Sequence, residues 1–232
     1  GNGGKVILWS DEVTKVYGSI SARGGANGGD GGFVETSSAK HFEIYNAPDT
    51  GATSGKGGMW LMDPDEDITI GVSADSNIYT TFPLAFAPAD SGGSYLNVTT
   101  LQNYLQNTGD AEIRTAFGGG GGTGIIQLVD PLVLTLGATR TLSMYAGNNI
   151  LIESNILASG APLNLHLYSG YGTSAGDVEV TNGAIINLNN GYLNIVAQTG
   201  VILGNMTPIS ITAGSMNITN QLSGDISLAS GS

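Results

Sequence analysis

The sequence predicts an all-β chain wound as a solenoid, a parallel β-helix with one excursion that carries a short α-helix. Three observations predict it. The cluster Gly-Gly-x-apolar opens β-type runs at Gly3-Gly4-Lys5-Val6, Gly31-Gly32-Phe33-Val34 and Gly57-Gly58-Met59-Trp60, spaced 28 and 26 residues apart. An apolar-x-apolar triplet recurs at Leu142-Ser143-Met144, Leu165-His166-Leu167, Leu193-Asn194-Ile195 and Met216-Asn217-Ile218. Finally, 37 of 232 residues are Gly, clustered between apolar runs rather than at every third position, which is turn chemistry and not collagen. Each unit of such a repeat cannot bury its own apolar face, so it stacks on the next.

Residues 1–70 read as nearly three coils. Their runs are Val6-Ile7-Leu8-Trp9, Val16 to Ala22, Phe33-Val34-Glu35-Thr36, Phe42-Glu43-Ile44, Met59-Trp60-Leu61-Met62 and Ile68-Thr69-Ile70. Each is short, β-branched or aromatic, and bounded by Gly, Asn or Asp. Trp9, Phe33, Phe42 and Trp60 are expected to join the Val, Ile and Leu core where the pattern brings them inward. Residues 71–124 break the pattern with Thr81-Phe82-Pro83, Ala87-Pro88 and the glycine run Gly118 to Gly122. Within them, Val98, Leu101 and Leu105 have helical spacing, so a helix is predicted near 98–107, with Asn97 as its cap and Gly109 after its end. A strand at Ala111 to Thr115 follows. The glycine run lacks the Lys-Ser/Thr ending of a phosphate cradle and reads as a loop. Residues 125–232 resume the coils. A second series, Ile126-Gln127-Leu128, Leu151-Ile152-Glu153, Val178-Glu179-Val180, Ile202-Leu203-Gly204 and Ile226-Ser227-Leu228, interleaves with the first, so each coil has at least two faces. The whole is one β-helix segment.

The charge narrows the function. The chain has 19 acidic and 7 basic residues, a formal net charge of −12. No basic patch exists to displace counterions, so nucleic acid is not an expected partner. The acidity favours solubility, with cation binding as the functional alternative. The absence of Cys removes disulfides, thiol catalysis and Cys-based zinc sites. No apolar stretch is long enough to span a bilayer, and no leader is visible at Gly1. The chain opens and closes in mid-pattern, as expected of a segment of a longer protein.

The N-terminal motifs carry a resemblance. Gly1-Asn2-Gly3-Gly4-Lys5-Val6-Ile7-Leu8-Trp9-Ser10 leads to Tyr17-Gly18-Ser19-Ile20-Ser21-Ala22-Arg23-Gly24-Gly25. Then come Asn27-Gly28-Gly29-Asp30-Gly31-Gly32-Phe33-Val34-Glu35-Thr36-Ser37 and Leu61-Met62-Asp63-Pro64 with Asp67-Ile68-Thr69-Ile70. This is similar to the filamentous-haemagglutinin-type exoproteins of Gram-negative two-partner secretion. It is dense over 1–70 and looser over 98–232. The resemblance implies a right-handed parallel β-helix, secreted through an outer-membrane partner to the cell surface, as an adhesin or surface fibre. The family's secretion domain, with its Asn-Pro-x signals, is absent here, so the secretion partner would engage another region. No receptor-binding motif of the family maps onto these residues. A host or neighbouring-cell receptor or glycan is the expected partner.

Candidate sites are few. Asp63-Pro64-Asp65-Glu66-Asp67 is the densest acidic cluster, and Asp63, Asp65 and Asp67 form a candidate Ca²⁺ site, without EF-hand spacing. The competing reading is a solvated turn between coils. Residues 24–34 carry one copy of a pattern similar to the Gly-Gly-x-Gly-x-Asp calcium repeat, better explained by tight turns requiring positive φ. His41 and His166 are the two histidines, too few for a zinc site or a serine triad. Alternation points His166 outward. Glu153, Asp177 and Glu179 could meet across stacked coils, the seed of an alternative reading as a polysaccharide lyase or hydrolase. No catalytic residue or cofactor is assigned, and the chain is not expected to be an enzyme. Asn97, Asn205 and Asn217 head Asn-x-Thr acceptor patterns. Open ends of the stack favour end-to-end self-association, so a self-assembling filament subunit is a third reading.

Overall fold

The computed structural model describes residues 1–72, 93–116, 122–204, 209–222 and 225–228. The Pro-containing runs near 83 and 88, most of the glycine run and the pattern at Asn205 lie outside the described residues. The chain is a parallel β-solenoid of about 7 turns with one short helix. From the start come β1 (Lys5–Ser10), β2 (Val13–Val16), β3 (Phe33–Ser38), β4 (His41–Ile44), β5 (Met59–Pro64) and β6 (Ile68–Gly71). Next are β7 (Ser94–Asn97), α1 (Val98–Asn107), β8 (Asp110–Arg114), β9 (Ile126–Leu128), β10 (Leu132–Leu136) and β11 (Arg140–Ala146). The rest are β12 (Ile150–Ile152), β13 (Ile156–Gly160), β14 (Leu163–Ser169), β15 (Asp177–Val180) and β16 (Ile185–Asn187), then β17 (Tyr192–Ala197), β18 (Gly200–Leu203), β19 (Ser210–Thr212), β20 (Ser215–Asn220) and β21 (Ile226–Leu228).

The strands stack into a long sheet, β1-β3-β5-β8-β11-β14-β17-β20, and two further faces, β21-β18-β15-β12-β9-β6-β7 and β10-β13-β16-β19. A fourth, short pair joins β2 to β4. The C-terminal coils therefore have three faces where the sequence pattern required two. The long sheet keeps one register throughout. Val6, Val34, Trp60, Ala111, Leu142, Leu165 and Leu193 form one inward column, which Met216 continues in register but exposed. The second inward column runs through Met62, Ile113, Met144, Leu167 and Ile195, all fully buried. Each column is a continuous apolar spine, because coil stacking places like on like.

The phase of alternation differs from expectation at two aromatics. Phe42 and Trp60 are buried, but Trp9 is 57% exposed and Phe33 is half-buried. The residue after each Gly-Gly pair points outward, and so do the third and fifth residues of the strand. Val6-Ile7-Leu8-Trp9 is apolar at every position, so it carries no phase of its own. For the same reason the second series slips by one residue: Ile150 and Ile152 face inward around Leu151, and Val201 and Leu203 around Ile202. The predicted strand from Val16 to Ala22 lies earlier, at Val13–Val16, with an isolated bridge from Ser21 to Asp49.

The glycine pairs sit where the coil turns into the long sheet. Phe33, Met59 and Asp110 donate their N–H groups to the carbonyls of Gly4, Gly32 and Gly58, one coil below, at 2.9–3.0 Å. A Cβ on Gly32 would meet Gly4 O, one on Gly58 would meet Gly32 O, and one on Gly109 would meet Gly58 O, all closer than 3.0 Å. Gly4 has open space at the same position. Close approach of stacked backbones, rather than positive φ, is what requires glycine here. Of the turn at residues 24–32, Gly28 and Gly29 alone have positive φ.

The predicted helix forms as α1. Asn97 accepts the Thr99 N–H at 2.8 Å as N-cap, and Thr108 and Gly109 both donate to the Tyr104 carbonyl. The helix buries Val98, Leu101 and Leu105 as expected, and also Tyr104. It takes the place of a strand beside β10: Gln106 Oε1 accepts the Thr135 N–H at 2.7 Å, and Gln102 Nε2 donates to the Pro131 carbonyl at 3.3 Å. Side-chain amides thus satisfy an edge that would otherwise be open. The excursion folds back into the rod. β7 pairs with β6 on the side toward the N-terminal coils, where Ser94 Oγ accepts the Phe42 N–H at 3.0 Å, and β8 rejoins the long sheet between β5 and β11.

Candidate functional site

Four of the seven basic side chains are held by carboxylates. Lys15 meets Glu43 at 3.1 Å, Arg23 meets Asp49 at 2.8 Å, Lys40 pairs with Glu12, and Arg114 with Glu112. The other three, Lys5, Lys56 and Arg140, form no ion pair among the described residues, and all three line one groove along the glycine corner. The groove is two contiguous cavities of about 490 and 480 Å³ that share Gly57 and Asp110. The first is a shallow trough. Its floor is the stacked Gly3-Gly4, Gly31-Gly32 and Gly57-Gly58, and its wall is the outward residue of each strand, Lys5, Phe33 and Met59. Lys5 lies over the Phe33 ring at 5.1 Å. The glycines that permit stacking therefore also leave a side-chain-free channel.

The second cavity is a deeper notch at the C-terminal end of α1, where a helix replaces a strand between the loop at 52–57 and the turn at 138–140. Arg140 Nε donates to the Leu105 carbonyl at 2.9 Å, one of the helix's unpaired last carbonyls. That bond fixes the guanidinium beside the notch and leaves its terminal N–H groups without an ion pair. Asp110 stands opposite, its carboxylate accepting the Thr141 N–H at 2.8 Å. Burial raises its pKa, while the Thr141 bond and the Arg140 charge act in the other direction. Lys56 itself is held through its backbone, whose N–H donates to Asp30 at 2.8 Å. The lining of the notch thus combines two cations, the Asp110 carboxylate, backbone, and the hydroxyl-bearing Thr108 and Thr139.

The predicted calcium ligands do not converge. Asp63 ends β5 on the outer face, and Asp65 is near enough to act on it electrostatically. Asp67 is committed elsewhere, accepting the N–H groups of Thr123 and Ile125 at 2.9 and 2.8 Å and the Thr123 hydroxyl. Among the described residues no group of three or more His, Asp or Glu side chains is placed to hold a metal ion.

Asp63 has a different property. Its pKa is raised to about 6, chiefly by burial; Arg114 opposes the rise, and Glu35, Asp65 and Glu112 add to it. The unfolded carboxyl titrates near about 3.9. The folded chain therefore holds this proton more tightly, and the group's contribution to stability falls as pH rises from about 4 through about 6. Asp63→Asn should raise Tm by roughly 2–4 °C at pH 7.5 and leave it unchanged at pH 4, in paired thermal melts. A gain at pH 4 equal to that at pH 7.5 would show that the carboxylate's charge is not the cause.

The outer face of the long sheet also carries a stripe in register: Trp9, Ser37, Asp63, Arg114, Tyr145 and Tyr168. Tyr145 stacks on Tyr168 at 5.7 Å, and Arg114 lies 5.5 Å from the Tyr145 ring. Arg114 is held by Glu112, so the stripe is an internally paired ladder. Glu153, Asp177 and Glu179 do approach one another: burial, then Asp177 and Glu153, raise the Glu179 pKa. Two of them are bonded to neighbours, Glu153 by Gln127 at 2.7 Å and Asp177 by Thr199 at 2.6 Å. His166 faces outward as expected, edge-on to Tyr192 at 5.7 Å. His41 Nδ1 lies 3.6 Å from Glu66. Asn97 is a helix cap, and Asn217 donates to Asn194 at 2.7 Å in a coil-to-coil ladder.

No family model and no curated protein matches the chain. The sequence reading missed the groove. Its signals were present: glycine pairs that recur at one strand end, and a lysine directly before the third pair.

Proposed function

We propose that this chain is a structural and adhesive segment of a secreted bacterial surface fibre, of the filamentous-haemagglutinin type, which contacts a glycan on a host or neighbouring cell. The observation that carries the reading is the groove: three cationic side chains outside ion pairs gather along a glycine-floored channel on a stiff, stacked rod. A channel open at its side suits an extended polyhydroxy chain, whose hydroxyls and flat ring faces match backbone, carboxylate and the Phe33 ring. The motif resemblance supports secretion to the outer surface of a Gram-negative cell.

One observation favours a second reading, a carbohydrate-active β-helix enzyme. Asp63 holds its proton to about pH 6 beside Glu35 and Glu112, the kind of environment that prepares a general acid. A glycan array read with and without Ca²⁺, followed by mass analysis of each bound sugar, separates the two. The adhesive reading expects retention of intact glycan, unchanged by Ca²⁺. Shortened products would overturn it in favour of the enzyme, and no binding across the array would leave a spacer with no adhesive face.

A further inference from the structure

We infer that the notch between α1 and the glycine corner is a subsite for a carboxylate-bearing sugar, gripped by Lys56 and Arg140. The inference rests on the adhesive reading above and names the ligand chemistry of that groove. In a chain of net charge −12, cations outside ion pairs are scarce, and two of the three meet across a cavity of about 480 Å³. That volume lies in the range of about 300–1,000 Å³ typical of small-molecule sites.

Each part of a sugar acid has a counterpart. Lys56 is exposed, lines the notch and has no carboxylate partner among the described residues, so its ammonium is available to a ligand carboxylate. Arg140 is anchored through Nε on Leu105, which aims the fork without consuming its terminal donors. Asp110 has one oxygen on Thr141, and the other is placed to accept a sugar hydroxyl. Asp110 in the lining offsets part of the positive charge of the two cations and leaves the notch a net attraction for one carboxylate. A bare polyanion would gain little here, whereas a ligand with one carboxylate among several hydroxyls matches the whole lining. From the notch, the trough past Met59 and Phe33 to Lys5 offers a path for the next sugar units and a third cation at its far end.

The test is titration calorimetry on the whole chain with two probe pairs: trigalacturonate against its methyl ester, and sialyllactose against lactose. The inference expects an acid form to bind at least about tenfold more tightly than its uncharged partner, the size of one charge-assisted hydrogen bond. Preference within the first pair indicates a uronate chain, and within the second a terminal sialic acid. Lys56→Ala should weaken that binding about tenfold, Lys56→Arg should restore most of it, and neither should shift Tm, because the bonds of Lys56 to Asp30 and Gly31 are made by its backbone and its side chain has no partner among the described residues. Equal binding of acid and uncharged forms, an unaffected Lys56→Ala, or no binding of either acid would overturn the inference. Retention of neutral glycans on the array would then leave the adhesive reading standing.

Discussion

Replacing Gly58 by alanine should cost at least about 3 kcal/mol of stability, whereas Gly4→Ala should change it by less than about 0.5 kcal/mol. Both residues hold the second place of the same Gly-Gly motif, and neither has a positive φ, so propensity alone would treat them alike. The difference is the coil below. A Cβ on Gly58 would drive into the Gly32 carbonyl, which accepts the Met59 N–H at 3.0 Å. Relief requires the coils to separate and that ladder bond to lengthen. A Cβ on Gly4 would meet nothing within 4 Å. Urea midpoints of the two variants measure the contrast, and equal losses would mean that the glycines serve the turn and not the stack. Because a solenoid is coupled through neighbours, the Gly58 variant should also expose the chain to proteolysis near the third coil before the C-terminal coils unfold.

Trp60→Ala should be as severe, about 3–5 kcal/mol. Trp60 is fully buried in the inward column and joins three parts of the molecule. Its ring meets Tyr104 of α1 edge-on at 5.1 Å, its Nε1 donates to Thr36 Oγ1 at 3.0 Å, and Tyr104 in turn reaches Thr50 across 2.8 Å. Truncation opens a cavity at the junction of the N-terminal coils and the helix, and leaves Thr36 without that bond. Trp60→Phe keeps most of the packing and should cost roughly 1–2 kcal/mol, chiefly the lost N–H bond. Chemical denaturation of both variants gives the values. A small loss in Trp60→Ala would show that the junction contributes little to the rod.

These two residues show what could be read from the sequence. The Gly-Gly-x-apolar repeat revealed both the stacking and its period, because a local steric need recurs wherever coil meets coil. The helix was legible from Asn97 and the spacing of Val98, Leu101 and Leu105. Tyr104 was missed because its burial depends on Trp60 and Thr50, which belong to other coils. The outward position of Trp9 is hidden because Val6-Ile7-Leu8-Trp9 is apolar throughout and has no phase of its own, whereas Phe33 points outward because it directly follows a glycine pair, which sets the phase. The fold-back of β7 onto β6 had no sequence signal, since strand order in space is a tertiary choice. The groove was hidden for a related reason. Lys5, Lys56 and Arg140 are far apart in sequence, and only the register of β1, β5 and β11 along one sheet brings them to a common edge. The aspartates at 63, 65 and 67 looked like a ligand set because they alternate in sequence, but the turn between β5 and β6 sends Asp67 to the Thr123 segment.

We propose the glycine corner as the surface through which the rod contacts its glycan. Hydrogen exchange by mass spectrometry, with and without the tightest-binding intact glycan from the array, tests it most directly. Slowed exchange is expected in the loops at 52–57 and 137–140, with the outer stripe at Tyr145 and Tyr168 unchanged. Protection confined to that stripe, or to the C-terminal coils, would contradict it.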